Sequence, residues 1–438
     1  MKKWITKINN WNNSIKNNPN IIVLIIVFNC ALLMEFHDYY LARPKVFVVL
    51  FISVLLNLIN TKYWFSAVFS YCSSFLHFAK LFPRQANHSN LEFFIEIFVG
   101  FTLVYYFFLS SKKPKLFTIQ HVFKIALICI YFYAGFHKLN SGYFSVDSSC
   151  ANAIGSMTFS NFFGHDYKLS NFAVVVFQYL TIIIEMIIPF GLLFRKTQKT
   201  TVLVLVAFHI FLSLSKYADF SAFAGFMLLA STINWTQKSI TTSKINWLKV
   251  YVAFVLFSVL IEVLIYYFKI ENINVFFASG IIFSIGFVLF YYQYLLDFKP
   301  TTIRIPKKQL MISSIATITF ISIWALKTYV GLGNVANLTM FSNLNTEKNH
   351  SNHYLINTKY TKIFDFEEDN LKIISLEDTL KYKKLEGYNL PIVEFNYNVK
   401  KWSAYYKDLD LKATVVYKND TIVINDLKNS EFNTQKWY

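Results

Sequence analysis

Five side chains in or beside apolar runs carry the chemistry this sequence can do. Lys138 closes "YFYAGFHKLN", His88 and Glu92 stand four apart in "NHSNLEFF", Glu185 lies inside "YLTIIIEMIIPFGLLF", and His209 lies inside "VLVAFHIFLSLSKYADF". A charged group at membrane depth costs roughly 2.5–3.5 kcal/mol to insert, so each asks for a partner or a task. Lysine, histidine and carboxylate side chains at such positions hold and pass protons.

Two readings of Lys138 are open. A terminal lysine can reach toward headgroups and orient its helix. Alternatively it faces inward, because Ala134 lies one turn earlier on the same face and a small residue lets a neighbouring helix approach. Desolvation then disfavours the ammonium form, and the neutral amine acts as a base. His137 falls elsewhere on the helix and is expected at the interface. His88, Glu92 and Glu96 share one face. They form either a polar helix start packed into the bundle or a proton relay; their spacing alone does not supply metal-ligand geometry, and no metal is expected. Glu185 precedes Pro189 by four, so the missing proline N–H frees a carbonyl near residue 185. A protonated glutamate donates to that carbonyl, or it faces a polar cavity. His209 is a packing residue unless it converges with Lys138 and His88. Glu262 is isolated, and no role is assigned to it.

The elements that must position these groups are membrane helices. Of 438 residues 55% are hydrophobic and only 15% charged, and apolar runs near bilayer-crossing length recur from residue 21 to about 330. Expected spans are 20–36, 45–60, 63–81, 91–109, 117–138, 171–194, 200–215, 219–234, 247–269, 273–296 and 309–330. The fold class is an all-α polytopic bundle of about 8–11 transmembrane helices with a small, mainly β extramembrane domain at the C-terminus. The start is basic and polar, and no cleavage site follows the first apolar run, so that run is expected to be retained.

Residues 341–438 hold 14 basic and 14 acidic residues, so the net charge of +17 falls entirely on the first 340. In such a chain the excess sets orientation, and no nucleic-acid-binding motif is present. The clusters Lys2/Lys3/Lys7/Lys16, Lys112/Lys113/Lys115, Arg195/Lys196/Lys199 and Arg304/Lys307/Lys308 fit one cytoplasmic side. Residues 83–90, 139–170, 216–219 and the tail then face outward. Residues 1–19 form the cytoplasmic start, 20–335 the membrane domain and 336–438 the outer domain. The expected location is the cell's inner membrane. The loop 139–170 is expected to lie along the interface or cap a cavity. In the tail, "LPIVEFNYNV", "KATVVYKND" and "TIVIND" read as strands. Four cysteines without a CxxC make a disulfide framework or zinc site improbable on spacing.

These pieces occur in a familiar order. "YFYAGFHKLN", "NHSNLEFF", "FHIFLSLSKYADFSAFAGFMLLAS" and "NLTMFSNLNTEKNHSNHYLI" together resemble the vitamin K-dependent gamma-carboxylase-like family, also called the horizontally transferred transmembrane domain. The resemblance covers roughly residues 20–360. Tyr143 stands where the family often has tryptophan. The resemblance implies that Lys138 is the base acting on a reduced quinone, of vitamin K hydroquinone or menaquinol type, with His88 assisting; on the reading of the residues themselves, His209, Glu185 and Glu92 are expected to support a polar cavity. It implies O2 and CO2 as co-substrates, a carboxylase reaction coupled to quinol epoxidation, membrane lipid as surroundings, and a protein or peptide substrate on the outer side. Two other classes fit the residues: a proton-coupled transporter or channel using Glu185, Glu92 and His209 as a relay, and a non-catalytic scaffold presenting the tail.

Overall fold

The structure is a computed structural model that describes residues 19–36, 44–82, 87–104, 116–163, 167–234, 242–268, 274–300, 307–333, 337–346, 351–364, 370–377, 385–387, 389–405, 411–418 and 420–433. The N-terminal basic segment, the cluster Lys112/Lys113/Lys115, Arg304, residues 83–86 and residues 105–109 of the fourth expected span lie outside these.

Each expected span coincides with a helix. In chain order these are α1 (Pro19–Phe36), α2 (Pro44–Ile59), α3 (Phe65–Leu81), α4 (Asn87–Val104) and α5 (Leu116–Phe136), then α6 (Cys150–Phe163) in the loop between spans. They continue as α7 (Asn171–Ile182), α8 (Gln198–Ser215), α9 (Ala218–Thr232), α10 (Thr242–Tyr267), α11 (Val275–Leu296) and α12 (Lys307–Leu326). Among the described residues, six segments are long and apolar enough to cross a membrane: Phe117–Phe136, Asn171–Leu193, Gln198–Ser215, Ile245–Ile265, Phe276–Leu296 and Lys307–Val330. Asn20–Phe36, Pro44–Ile59 and Ala218–Thr232 are apolar but shorter.

Burial sorts the helices. From Ser221 to Thr232 every residue of α9 is buried, as a helix apolar on all sides must be when others surround it. It packs against α1, α5, α8 and α11. By contrast α12 exposes Met311, Ile312, Ile315, Phe320 and Ile323, and α7 exposes Phe172, Val176 and Tyr179. Such continuous apolar surface is a liability in water and fits a hydrocarbon surround.

The chain divides into two compact units. Residues 1–325 and 335–344 form the first; residues 326–334 and 345–438 form the second. The sequence-based boundary at 335/336 therefore moves, because residues 337–344 are tied by hydrogen bonds to the loop after α5, as described below.

Among its described residues the second unit holds a four-stranded antiparallel sheet, a fourteen-residue helix and a short helical turn, Thr358–Thr361. Strands β1 (Asn370–Leu376), β2 (Asn389–Pro391), β3 (Ala413–Tyr417) and β4 (Asp420–Ile424) run in the order β2-β1-β3-β4. The stretches "KATVVYKND" and "TIVIND", expected as strands, form the hairpin β3–β4, with Ala413 opposite Ile424. "LPIVEFNYNV" is not a strand throughout. After Pro391 it becomes the helix Ile392–Tyr405. Phe395, Val399 and Trp402, spaced by four and three, are fully buried in the unit's core, so the operative period is helical.

Candidate functional site

Lys138 stands in the turn after α5, and its side chain folds back into the bundle. Nζ lies 2.8 and 3.1 Å from the two carboxylate oxygens of Glu185 and donates also to the carbonyl oxygens of Met340 (2.9 Å) and Ala134 (3.2 Å). Both charged residues are buried. Every neighbour is an acceptor, so this shell suits an ammonium with all its protons engaged. Of the two readings of Lys138 the structure shows the inward one: the side chain does not reach outward, and it is paired with a carboxylate.

The local sequence explains the pairing. After Ile182 the helix widens into a π turn, Ile183–Ile187, and then tightens into a 3-10 segment, Ile188–Leu193, around Pro189. π turns re-aim side chains and recur at functional sites. Glu185 therefore meets Lys138 instead of the freed carbonyl proposed from sequence. Close approach depends on Gly135: a Cβ there would lie 2.5 Å from Met186 Cγ and 3.1 Å from Glu185 Cβ. Thr197 donates to the Gly191 carbonyl at 2.7 Å and Gln198 to the Leu192 carbonyl at 3.1 Å, closing the segment's end.

The Met340 carbonyl is held by an unusual backbone. Leu338, Phe341 and Asn343 all adopt positive φ, at 68°, 52° and 54°. Such conformations cost of order 1–3 kcal/mol each outside glycine and persist only when surroundings enforce them. Here the Asn140 amide donates to the Ser342 carbonyl (2.6 Å), the Asn343 amide donates to the Ser148 carbonyl (2.9 Å), and the Leu338 N–H donates to Asn87 Oδ1 (2.8 Å).

The pair opens on a cavity of about 60 Å3. Its walls are largely aromatic and aliphatic, including Phe177, Phe208, Phe211, Phe220 and Phe223, and among the described residues Lys138 and Glu185 are its only charged lining. Ala151 and Ile154 of α6 contribute, so the loop 139–170 caps the cavity as one of its expected readings had it. Tyr131 also lines it, and its hydroxyl is hydrogen-bonded to His209 Nε2. His209 is fully buried behind that wall, and its Nδ1 has no hydrogen-bond partner among the described residues.

His88 belongs to a second cluster. Its Nε2 lies 2.6 Å from Glu35 Oε2 and 3.2 Å from Asp219 Oδ2, at the end of α1 and the start of α9. Ser89 donates to the other oxygen of Glu35. The His88 ring packs on Phe220 at 5.8 Å between centroids, and Phe220 packs on His209 at 5.2 Å. His88 thus approaches the cavity through Phe220 and does not line it. Glu92 is buried with both carboxylate oxygens unpartnered among the described residues, while Glu96 accepts from Ser74. His137, expected at the interface, is fully buried instead, against Tyr133 and Phe136.

No family model, curated protein or solved structure matches this chain. What the site can do follows from its geometry. Glu35 and Asp219 are the residues sequence reasoning missed. Their signal was topological: Glu35 ends the first apolar run, Asp219 opens a later one, and the charge pattern assigns both ends to the side on which His88 begins.

Proposed function

We propose that the chain is a polytopic membrane enzyme of the gamma-carboxylase-like kind, with eight to eleven crossings, that performs proton transfer on a lipid-soluble substrate at the Lys138–Glu185 pair. The observation that carries this reading is a buried ammonium–carboxylate pair facing an otherwise apolar, aromatic cavity. Membrane insertion is supported by the six long apolar segments and the exposed apolar faces of α7 and α12. The N-terminus in the cytoplasm and the tail outside follow from the basic clusters.

The donor set suits a neutral, flat, apolar molecule carrying one weakly acidic hydroxyl. A reduced quinone, bound there, would supply such a hydroxyl and reducing equivalents. Glu185 accepts a proton at a carboxylate oxygen, and that oxygen's bond to Nζ gives way. Lys138 keeps its three protons and turns the released donor bond toward the negative charge left on the substrate. The net charge of the cavity stays at zero throughout, so no uncompensated ion forms in a medium where one would be costly. Phe177, Phe208, Phe211 and Phe220 surround the pair with apolar surface. At about 60 Å3 the cavity has room for a few waters, at about 10–15 Å3 each, and is smaller than typical ligand pockets. Substrate binding therefore requires the aromatic walls and Met227 and Met340 to repack.

The test is turnover in membranes supplied with a reduced naphthoquinone, O2 and labelled bicarbonate. Epoxide or fixed carbon should form with the wild type and vanish with Lys138→Ala. Equal turnover by the variant removes Lys138 from the role, and uptake of solute into proteoliposomes that Glu185→Gln abolishes would favour the transporter class instead.

A further inference from the structure

We propose that Glu35, His88 and Asp219 bind one divalent first-row transition-metal ion. Spacing along α4 alone gives no such site. The fold creates it by bringing the ends of three helices together, and the inference is independent of the role of Lys138.

The ligand atoms converge. One nitrogen of His88 and one carboxylate oxygen each from Glu35 and Asp219 lie within 4.8 Å of one another. Metal bonds of about 2.0–2.2 Å allow two ligands of one ion to stand no more than about 4.4 Å apart, so small adjustments close the set around an ion. The two carboxylates approach the same nitrogen, Nε2, at 2.6 and 3.2 Å. A single N–H directs its proton at one acceptor, so a protonated imidazole serves both poorly. An ion between them serves all three. The remaining oxygen of Glu35 accepts from Ser89, the kind of outer hydrogen bond that orients a ligating carboxylate.

Glu92 is the independent observation. It lies one turn beyond His88 on the same face of α4, and helical side chains lean toward the N-terminus, over the turn that carries His88. Its charged neighbours are Glu35, His88, Glu96 and Asp219. Its carboxylate is completely buried, and neither oxygen has a hydrogen-bond partner among the described residues. The two ligating carboxylates together carry two negative charges, which a protonated histidine cancels only in part and a divalent ion cancels in full. One imidazole with carboxylate oxygens suits zinc, manganese or iron(II) better than calcium or magnesium. Side-chain exposures of 14% for His88 and 20% for Asp219 leave a route for the ion. A bound ion would sit on the far side of Phe220 from the cavity, with His88 as its ligand and not a carrier of protons.

The full-length protein in detergent, stripped with a chelator, is dialysed against Zn2+ or Mn2+ and its metal content measured. One ion per chain is expected, with affinity lowered at least about tenfold by Asp219→Asn and by Glu35→Gln. X-ray absorption of the zinc-loaded wild type, which needs no variant, should show imidazole nitrogen and oxygen with no sulfur. Folded wild type that takes up no ion, wild-type affinity in both variants, or a sulfur-containing shell would each overturn the proposal.

Discussion

At the scale of single residues, the Lys138–Glu185 pair dominates. Removing one partner of a buried ion pair strands the other charge, at a cost of about 3–5 kcal/mol, whereas replacing both with apolar groups is often neutral. Lys138→Met should therefore lower the thermal midpoint in detergent sharply, and Lys138→Met combined with Glu185→Leu should recover most of it while remaining inactive. A single variant as stable as wild type would mean the pair is not charged. Lys138, Glu185, His88, Glu92 and His209 were all legible in the sequence as polar residues at depth. Which of them meet was not. Lys138 and Glu185 are 47 positions apart, and nothing in either motif names the other. His137 reads from the sequence as an interfacial residue, yet the chain turns at residues 137–138 and buries both side chains.

At the scale of elements, the site depends on two neighbouring irregularities. Gly135 lets the π turn touch α5. Gly135→Ala places a methyl group against Met186 and Glu185; overpacking of this kind costs about 1–3 kcal/mol and forces the two segments apart. Turnover should fall more than the stability loss alone explains, and an unchanged rate would show that this approach does not set the pair's geometry. Pro189→Ala restores the N–H that an α-helix would send to the Glu185 carbonyl. The segment Ile183–Leu193 should then relax toward α-helix and turn Glu185 away from Lys138, giving a protein at least as stable but less active. Retained activity would assign the irregularity to packing only. Apolar run lengths made every long helix legible, because bilayer-length hydrophobicity is a strong signal. The helix Ile392–Tyr405 was not, because a strand-like start at Asn389–Pro391 masked the four-and-three spacing of Phe395, Val399 and Trp402.

At the scale of the whole molecule, the two units should respond separately to change. Trp402 is fully buried in the core of the second, and Trp402→Ala should cost about 3–5 kcal/mol there. Limited proteolysis should then cut within residues 370–433 while the first unit stays resistant; cleavage of both units together would mean they fold as one. The division at residue 335 was only partly legible, since the returning stretch 337–344 is held by asparagine side chains and backbone carbonyls that leave no periodic trace. Infrared difference spectroscopy bears most directly on whether the pair moves protons. On adding a non-reactive reduced-quinone analogue to the wild type in lipid, a protonated-carboxyl band should appear, and it should be missing in Glu185→Gln. A spectrum with no such band despite saturating analogue, or one that keeps the band in the variant, would contradict proton transfer to Glu185.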